Sequence, residues 1–502
     1  MFLFGTDRVK TVGCNWDQLN TTGLERVAEF IAKATSANPQ ERFEDARAAA
    51  AFLDSTPSST SGQLGTVNFA PTLTPQSVQR LAELLSAYPG SRHGNNETRG
   101  LDSEFAAATY VETRLDAALR DEIETGEVAL AILFGNAGDG KTAFLQHLLL
   151  ELGLPDAHSS HRILERRLPD GRILHVNLDG SAAWQGKAAN ELLDKFFSPF
   201  KALDLHRDWR NPRILAINSG KLLEWLETQD ETPLTRQLYG ALFEGDSTSE
   251  ANLDRHIRLI DLNRRSLVGG VESGEIKATF LNALLDRFLG SHEPVDPWGN
   301  CSRCTAQHRC SAWQSVQSLR DPVLGSRIRT RLADALQACH LRGEIHITAR
   351  ELRAAVVFTF FGVHDCSELH AKPEIAPLHY WDRAFDADAP QRQGELLSEL
   401  ARFDPALDNN SLVDRVLLRG LSNPVASPRD ALASARRRAW FEWGAEAFDQ
   451  IHLPADTLTL QGGSRLDLFR TIPLLGDADR NLICRDLCLG IARLEDLPQE
   501  AS

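Results

Sequence analysis

The sequence predicts an α/β protein in which a parallel sheet is flanked by helices, followed by a mostly helical C-terminal lid region. Apolar, strand-like runs alternate with amphipathic helical patterns between Val128 and Leu262. Such alternation is typical of βαβ units with a parallel sheet. A glycine-rich stretch, GNAGDGKTAF, joins the first of these strands to the first helix. From Arg327 onward the apolar spacing is helical, as in RIRTRLADALQAC and TARELRAAVVFTFF.

Composition limits the class of protein. The net charge of −15 argues against a protein whose surface is covered with basic residues that bind nucleic acid. Eight cysteines in 502 residues are too few for the disulfide framework of a small secreted domain. No apolar run approaches the ~18 residues of a transmembrane helix, and the N-terminus lacks the basic region and cleavage site of a signal peptide. We therefore expect a cytoplasmic protein without a membrane segment.

Five segments can be distinguished along the chain. Residues 1–54 have helical patterns, and residues 55–73 form a linker rich in Ser, Thr, Gly and Pro. Residues 74–290 contain the alternating strands and helices. Residues 291–318 form a small insert with a cysteine cluster, and residues 319–502 are predicted to form a helical lid and C-terminal domain.

The glycine-rich stretch has the spacing of a P-loop, with Gly135 followed by four residues and then Gly140, Lys141 and Thr142. Its glycines let successive N–H groups point inward as an anion nest, and the helix dipole adds positive potential there. Lys141 is expected to reach the β- and γ-phosphates of ATP, and the Thr142 hydroxyl to bind Mg²⁺. A βα turn with chance glycines is the alternative. The predicted nucleotide-binding residues are Gly135, Asn136, Ala137, Gly138, Asp139, Gly140, Lys141, Thr142 and Ala143.

Polar residues end three of the predicted strands. Asp179 follows RILHVNL, Asn218 follows RILAI, and Asn263 follows LIDL. Ligands of parallel sheets bind at these carboxyl ends. We predict that Asp179 holds Mg²⁺ and that Asn218 senses the γ-phosphate, although either can instead be a cap or turn residue. The second acid that usually follows such an aspartate is absent because Gly180 stands there, which leaves the catalytic base open.

Two arginines are candidates for stabilising the charge of a phosphoryl-transfer transition state, and two others are candidates for contacting the γ-phosphate from a lid. Arg264 and Arg265, in DLNRRSL, could act in cis or across a subunit boundary, and a surface position is the alternative. Arg350 and Arg353 lie on a later helix that could close as a lid over the γ-phosphate.

The polar segment before the first strand is expected to fold over the adenine ring. Thr98, Arg99 and Tyr110 are its candidate contact residues. A solvated connector that leads into a helix explains the same composition.

The stretch PWGNCSRCTAQHRC contains Cys301, Cys304, His308 and Cys310. Thiolates and imidazole at this density suit tetrahedral Zn²⁺. The sequence therefore predicts a structural zinc site, whose fourth ligand is His308, His292 or a distant residue. Reduced cysteines beneath a loop, or a site that has lost its metal, are the alternatives.

The N-terminal stretch SANPQERFEDARAAAAFL resembles the end of the C-lobe of a bacterial serine/threonine protein kinase. Pro39, Arg42 and Phe43 carry the resemblance, which covers residues 22–54. The kinase glycine-rich loop, the HRD-type loop and the DFG triplet are missing. Kinase activity is therefore not expected from this chain, and a plain helical hairpin is the alternative.

GNAGDGKTAF, AINSGKLLEWL, DLNRRSLV, the cysteine cluster and SARRRAWFEW together resemble ATPases of bacterial anti-phage defence, of the AAA+ or related STAND-like kind. Among these, the blocks resemble the ATPase of phosphorothioation-dependent DNA restriction. This resemblance implies ATP and Mg²⁺ as cofactors, protein partners in a defence complex, DNA as a further candidate partner, and oligomer formation as an option. With the kinase-like N-terminus, it suggests a fragment of a kinase–ATPase fusion.

Three functions are consistent with these patterns. The first is a nucleotide-driven switch that binds and hydrolyses ATP. The second is a nucleotide-gated scaffold with little hydrolysis, which the missing acid after Asp179 favours. The third is a small-molecule kinase, against which the large helical region and the cysteine cluster argue.

Overall fold

A computed structural model describes most of the chain beyond the N-terminal segment. Apart from Lys33, the described residues belong to one unit, Ala70–Ser502, and the other unit is Met1–Phe69. The predicted kinase-like helices, the predicted linker, Thr98 and Arg99 lie outside the described residues. The described residues are Lys33, 75–87, 100–154, 158, 160–201, 210–243, 253–272, 274–341, 345–375, 378–386, 395–407, 410–420, 428–454, 457–460 and 471–494.

Five strands form a mostly parallel sheet in the order β2-β3-β4-β1-β5. Strands β3, β4, β1 and β5 are parallel, which confirms the predicted α/β class, whereas β2 is antiparallel to β3. Strand β2 was not predicted because only Leu164 of its sequence ILERR is buried, as suits an edge strand. The strands are β1 (Leu130–Gly135), β2 (Ile163–Arg167), β3 (Ile173–Asn177), β4 (Arg213–Asn218) and β5 (Ile257–Asp261), and a separate hairpin contains β6 (Gly270–Glu272) and β7 (Glu275–Lys277).

Helices cover the sheet and make up most of the rest of the described chain. No helix among the described residues is long and apolar enough to span a bilayer. The helices are α1 (Pro75–Leu85), α2 (Glu104–Ala108), α3 (Arg114–Thr125), α4 (Lys141–Glu151), α5 (Ala189–Phe197), α6 (Ser219–Glu227), α7 (Pro233–Phe243), α8 (Thr279–Leu289), α9 (Ser311–Arg320), α10 (Leu324–Leu341), α11 (Ala349–Phe361), α12 (Cys366–Ala371), α13 (Tyr380–Phe385), α14 (Glu395–Leu400), α15 (Ser411–Gly420), α16 (Pro428–Glu442), α17 (Ala445–Gln450) and α18 (Asp477–Leu494).

Strand β1, which lies between β4 and β5, is buried on both faces, which explains its continuous apolar sequence. Ala131 and Leu133 point to a hydrophobic layer that includes α3 and α4. Leu130 and Ile132 point to the opposite layer, which includes α5, α6 and α7. This alternation follows from the two-residue period of a strand, and it places β1 between the two hydrophobic layers.

The C-terminal helices have their own hydrophobic core, which also includes α1 and α8. Trp298 stacks on Phe361 within this core, with 5.5 Å between ring centroids. Helices α1 and α8 belong to the segment that the sequence assigned to the ATPase core, yet their apolar faces pack with the helices that follow it. The sheet and the helical core thus meet along the elements that surround the P-loop.

The strand order brings the carboxyl ends of the parallel strands to one edge. Gly135 of β1 is in register with Asn218 of β4, and Phe134 is in register with Asp261 of β5. Because β4 lies between β1 and β3, Asn218 is closer along the sheet to the P-loop strand than Asp179 is. The predicted site residues therefore converge on one edge, as expected for a parallel sheet.

Candidate functional site

The loop between β1 and α4 depends on glycines for its path. Gly138 and Gly140 have φ values of 101° and 86°, in the left-handed region that other residues rarely adopt. Helix α4 starts directly after Gly140, and its first backbone hydrogen bond runs from the Phe144 N–H to the Gly140 carbonyl, at 2.8 Å. The N–H groups before that bond have no carbonyl partner within the helix. The loop therefore presents donors at the positive end of a helix dipole.

The Lys141 ammonium is held at this loop. Its Nζ donates to the carbonyl oxygens of Gly135 at 3.1 Å and of Asn136 at 2.6 Å. Burial lowers the pKa of Lys141; the carboxylates of Asp139 and Asp179 counteract this effect, and the Arg350 guanidinium adds to it. The charge of Lys141 therefore interacts with that of Asp179 at the end of β3.

Asp139 stabilises the P-loop through hydrogen bonds of its buried side chain. Its carboxylate is buried, accepts the Asn136 N–H at 2.5 Å and lies 2.8 Å from Nε2 of His346. Its carbonyl accepts a hydrogen bond from Arg265 at 3.1 Å. Neither contact with His346 nor contact with Arg265 could be inferred from the motif, because both partners are distant in sequence. Asp139 therefore connects the P-loop to the segment that follows β5 and to the segment that precedes α11.

The first turn of α11 packs directly on the P-loop. The Arg350 N–H donates to the Gly138 carbonyl at 3.1 Å. A Cβ on Gly138 would lie 3.1 Å from Oγ1 of Thr348, the N-cap residue of α11. Glycine at this position therefore permits the close approach of the helix as well as the turn of the loop. Arg350 consequently lines the cavity above the loop.

Oxygen ligands suited to Mg²⁺ lie at the end of β3. The Thr142 hydroxyl donates to the Leu178 carbonyl at 3.2 Å, which places it next to Asp179. The Asp179 carboxylate accepts the Ser181 N–H at 3.0 Å, and its Oδ2 lies 4.0 Å from Nη1 of Arg162. Carboxylate and hydroxyl oxygens are the hard ligands that Mg²⁺ prefers. Thr142 and Asp179, both predicted as magnesium ligands, therefore fit that role.

Packing explains why no second acid follows Asp179. Gly180 is buried, and its N–H donates to the Ala216 carbonyl of β4 at 2.7 Å. A Cβ at this position would lie 2.6 Å from Cδ1 of Leu215 and 3.2 Å from Cδ2 of Leu193. The segment after β3 is thus pressed onto β4, and a glutamate at residue 180 would require the side chains of Leu215 and Leu193 to shift.

Substitution of Gly180 by glutamate should destabilise the fold rather than supply a catalytic base. We expect Gly180→Glu to lose about 1–3 kcal/mol in the free energy of unfolding, because the side chain overpacks the core against Leu215. Urea denaturation measures this change. Gly220→Ala is the matched control, since no atom lies within 4 Å of the added Cβ, and its stability should be unchanged or slightly higher. Equal stability of wild type and Gly180→Glu would refute the packing explanation.

A cavity of about 620 Å³ is lined by the P-loop and by residues of the helical region. This volume falls within the range of small-molecule sites, about 300–1,000 Å³. We call the lining from the loop, the strand ends and the start of α11 the polar end, and the lining from α1, α2, α8 and the segment before α3 the apolar end. The polar end includes Lys141, Thr142, Arg162, Asp179, Asn218 and Arg350, and the apolar end includes Leu101, Phe105, Ala106, Thr109, Val111, Phe280 and Leu284, together with the carboxylates of Glu83 and Glu104.

Gln146 and Tyr110 hold the segment that covers this cavity. Gln146, one turn after Thr142 on α4, accepts the Leu101 N–H at 2.6 Å and donates to Asp102 at 2.8 Å. Tyr110, a predicted adenine contact, lines the cavity and stacks on His147. The segment before β1 is therefore anchored to the P-loop helix. The sequence indicated the segment but not its anchor.

A buried network lies behind Tyr110. Its hydroxyl donates to Asp116 at 2.6 Å, and Nδ1 of His147 lies 3.4 Å from the same carboxylate oxygen. Burial opposes the charge of Asp116, but the close contact with His147 and hydrogen bonds from Tyr110 and Thr113 hold its pKa below the usual range. The contact with Asp116 raises the pKa of His147. The network fixes the ring of Tyr110 at the cavity wall.

The four predicted arginines occupy different positions. Arg264 is exposed, lies 3.5 Å from Asp261 and does not line the cavity. Arg265, Arg350 and Arg353 all line it. Burial lowers the pKa of Arg265, whose guanidinium also lies over the ring of Phe280. A fifth arginine, Arg162, also lines the cavity and was not predicted, because it stands just before the unpredicted strand β2.

The cysteine cluster lies beside α12, away from the cavity. Cys301 and Cys304 are buried, and burial raises the pKa of Cys301 to about 11, with Cys310 and Cys304 adding to the rise. The predicted ligand His308 is exposed, and the imidazole that contacts Cys304 is that of His370, at 3.3 Å. Across the described ranges, no group of three or more His, Cys, Asp or Glu side chains is arranged to hold a metal ion. Structural zinc therefore stays a prediction.

Comparison of the chain with protein-family models, with curated proteins and with solved structures finds no match in any of the three. The function must therefore be inferred from the cavity and its residues.

Proposed function

We propose that the chain binds a nucleoside triphosphate, with ATP as the expected nucleotide, and uses its γ-phosphate as a switch. One observation carries this proposal. Lys141, Thr142 and Asp179, which come from the P-loop and the end of β3, line one cavity whose other end is apolar. A phosphate chain suits the first end because of its cations and helix N-terminus, and a base with its ribose suits the second.

The charges of the cavity support an anionic ligand. In a chain with a net charge of −15, the polar end brings Lys141, Arg162 and Arg350 close to the loop. Asp179 and the buried Asp139 are the acids of the polar end, and Glu83 and Glu104 also line the cavity. The lining thus has five cationic and four acidic side chains, a small excess of positive charge that suits the triphosphate of a nucleotide.

Five residues at the polar end have a role in this proposal. Lys141 leaves the loop carbonyls to contact the β- and γ-phosphates, and Arg350 adds a donor from the start of α11. Thr142 and Asp179 would hold Mg²⁺, which when bound neutralises phosphate charge. Asn218 lies at the end of the strand beside the loop, where it can hydrogen-bond the γ-phosphate or the attacking water.

The contacts of α11 suggest how a bound phosphate could be sensed. The Arg350 N–H and the His346 imidazole both bond to P-loop residues. A nucleotide that contacts Arg350 in one state and not in the other shifts the position of α11 by that difference in free energy. The helices packed on α11 would transmit this movement to a partner.

A nucleotide-gated scaffold with little hydrolysis is the second candidate. The packing around Gly180 favours it, because a side chain at residue 180 would displace Leu215. Among the described residues, the carboxylates that line the cavity are Asp179 and Asp139 at the loop and Glu83 and Glu104 in the helical region, and none of them follows Asp179 in the strand-end position usual for a base. The attacking water then lacks a dedicated base, so we expect turnover to be slow.

The proposed partners are those of a bacterial defence complex, with DNA as a further candidate. The run of three arginines at residues 436–438 does not support direct contact with DNA. Arg436 and Arg437 are paired with Asp414 and Asp404, and Arg438 is paired with a glutamate of its own helix. Stimulation of turnover by DNA would require another surface or a partner protein.

Binding and turnover of ATP by the purified chain test the proposal and separate its alternatives. Saturable binding with slow, Mg²⁺-dependent phosphate release supports the switch, and binding without release supports the scaffold. Transfer of the γ-phosphate to an added small-molecule acceptor, rather than to water, would support the small-molecule kinase. No binding of ATP, GTP, CTP or UTP would refute the proposal. The same assay with double-stranded DNA tests the DNA partner.

A further inference from the structure

Arg162 stands directly before the edge strand β2, beside the proposed magnesium ligands. Its carbonyl accepts the Leu178 N–H at 2.8 Å, and the Leu178 carbonyl accepts the Thr142 hydroxyl at 3.2 Å. The backbone of β2 thus places Arg162 next to the end of β3, and its side chain lines the cavity. Arg162 therefore belongs to the polar end, although neither the P-loop motif nor α11 contains it.

Three contacts hold the Arg162 guanidinium at this place. Nη1 donates to the Ala183 carbonyl at 3.1 Å and lies 4.0 Å from Oδ2 of Asp179. Cζ lies 5.8 Å from the centre of the Trp184 ring. The side chain of Arg162 is 20% exposed and that of Asp179 is 29% exposed, so water screens their charges only in part. The positive charge is thus held beside the carboxylate that is proposed to bind Mg²⁺.

Asp179 therefore faces two cations. The Lys141 ammonium also interacts electrostatically with this carboxylate, and a guanidinium is always charged in proteins. One carboxylate between two cations leaves a net positive charge where the metal would bind. A divalent cation that arrives alone is opposed by this charge, because like charges a few ångströms apart repel strongly where water is partly excluded. A triphosphate, with its several negative charges, removes that opposition.

We propose that Arg162 reserves the metal site for Mg²⁺ bound together with a nucleotide, because its charge opposes the binding of a free divalent cation at Asp179. This inference rests on the proposed nucleotide site. Nucleotide and metal are then coupled, since each raises the affinity of the protein for the other by the same factor. Loss of the Arg162 charge should weaken the coupling by making metal binding without nucleotide tighter.

Metal binding by Arg162→Gln without nucleotide tests this inference, with Mn²⁺ as the probe and electron paramagnetic resonance to measure free Mn²⁺. Glutamine keeps a donor for the Ala183 carbonyl and removes the charge, so Mn²⁺ should bind roughly 10-fold more tightly than to wild type. Arg162→Lys keeps the charge and should bind Mn²⁺ as wild type does. The gain should disappear in the double variant Arg162→Gln/Asp179→Asn, because the carboxylate that Arg162 faces is gone.

Arg166→Gln is the matched control. It removes the same charge from the same edge strand, four residues or about 13 Å further along, where the guanidinium donates to the Glu165 carbonyl. Its affinity for Mn²⁺ should equal that of wild type. With a saturating non-hydrolysable ATP analogue, the Mn²⁺ affinity of wild type should rise by a larger factor than that of Arg162→Gln. Chelation of Mn²⁺ by the analogue in solution is common to both proteins.

The outcomes separate this inference from the proposed function. If wild type does not bind the analogue with or without Mn²⁺, the proposed function fails and the inference fails with it. If wild type binds the analogue but Arg162→Gln binds free Mn²⁺ no more tightly than wild type does, Arg162 only supports the turn at Ala183 and the inference alone is wrong. An equal gain in Arg162→Lys, or a gain that persists in the double variant, would also overturn it.

Discussion

Lys141→Ala is expected to lower the affinity for ATP by at least about 100-fold, because it removes charge-assisted contacts to two phosphate groups. The fold should persist, since alanine favours the helix that begins here and the lost ammonium is bonded only to loop carbonyls. Titration calorimetry measures the affinity, and circular dichroism verifies the fold.

The matched control for this variant is Lys187→Ala. Lys187 is half exposed and lies 3.8 Å from Glu191 in a surface ion pair. Such pairs contribute little to stability, and the residue does not line the cavity, so affinity should equal that of wild type. Tight ATP binding by a folded Lys141→Ala protein would mean that the P-loop is not the phosphate site.

Asp179→Asn is expected to lower Mg²⁺-dependent turnover by roughly 100-fold or more, while ATP binding without Mg²⁺ stays near that of wild type. The amide retains the acceptor for the Ser181 N–H but loses the charge that would hold the metal. Phosphate release over a range of Mg²⁺ concentrations measures the effect. If wild-type turnover is too slow to follow, the Mg²⁺ dependence of nucleotide affinity is the readout.

Asp261→Asn serves as the control for this second variant. Asp261 ends the strand on the other side of β1, so it is also a carboxylate at the end of a parallel strand. Its side chain accepts the Asn263 N–H and lies near Arg264, outside the cavity. Its Mg²⁺ dependence should match that of wild type. Equal losses of Mg²⁺-dependent turnover in both variants would show a general effect of charge at the sheet edge. Asp179 would then not be a ligand of the metal.

The sequence was informative wherever structure is determined locally. The strand before the P-loop, the glycine conformations and the start of α4 follow from apolar runs and residue spacing within a short segment. The positions of Asp179 and Asn218 at the sheet edge follow from the rule that parallel strands share a carboxyl edge. These features need no knowledge of distant contacts.

Contacts between distant segments could not be predicted. His346 bonds to Asp139 across 207 residues, and Arg353 bonds to Thr109 across 244 residues. No periodicity or motif spacing encodes such pairs. Strand β2 was missed for a different reason, since an edge strand with one buried side chain lacks the alternation by which strands are recognised.

The role of Gly180 became clear only in the structure. In the sequence, Gly180 was notable only because it stands where an acidic residue is usual. In the fold it is a close contact between the end of β3 and the side chains of Leu215 and Leu193. On the proposed function, the absence of an acid after Asp179 is thus linked to the packing of β3 against β4, and we expect slow turnover of ATP.

A structure of the chain with a non-hydrolysable ATP analogue and Mg²⁺ tests the central claim most directly. The account predicts density for the phosphates along residues 135–142, a metal beside Thr142 and Asp179, and the base at the apolar end near Phe280. Density for the nucleotide elsewhere, or a cavity without nucleotide at saturating concentration, would contradict it.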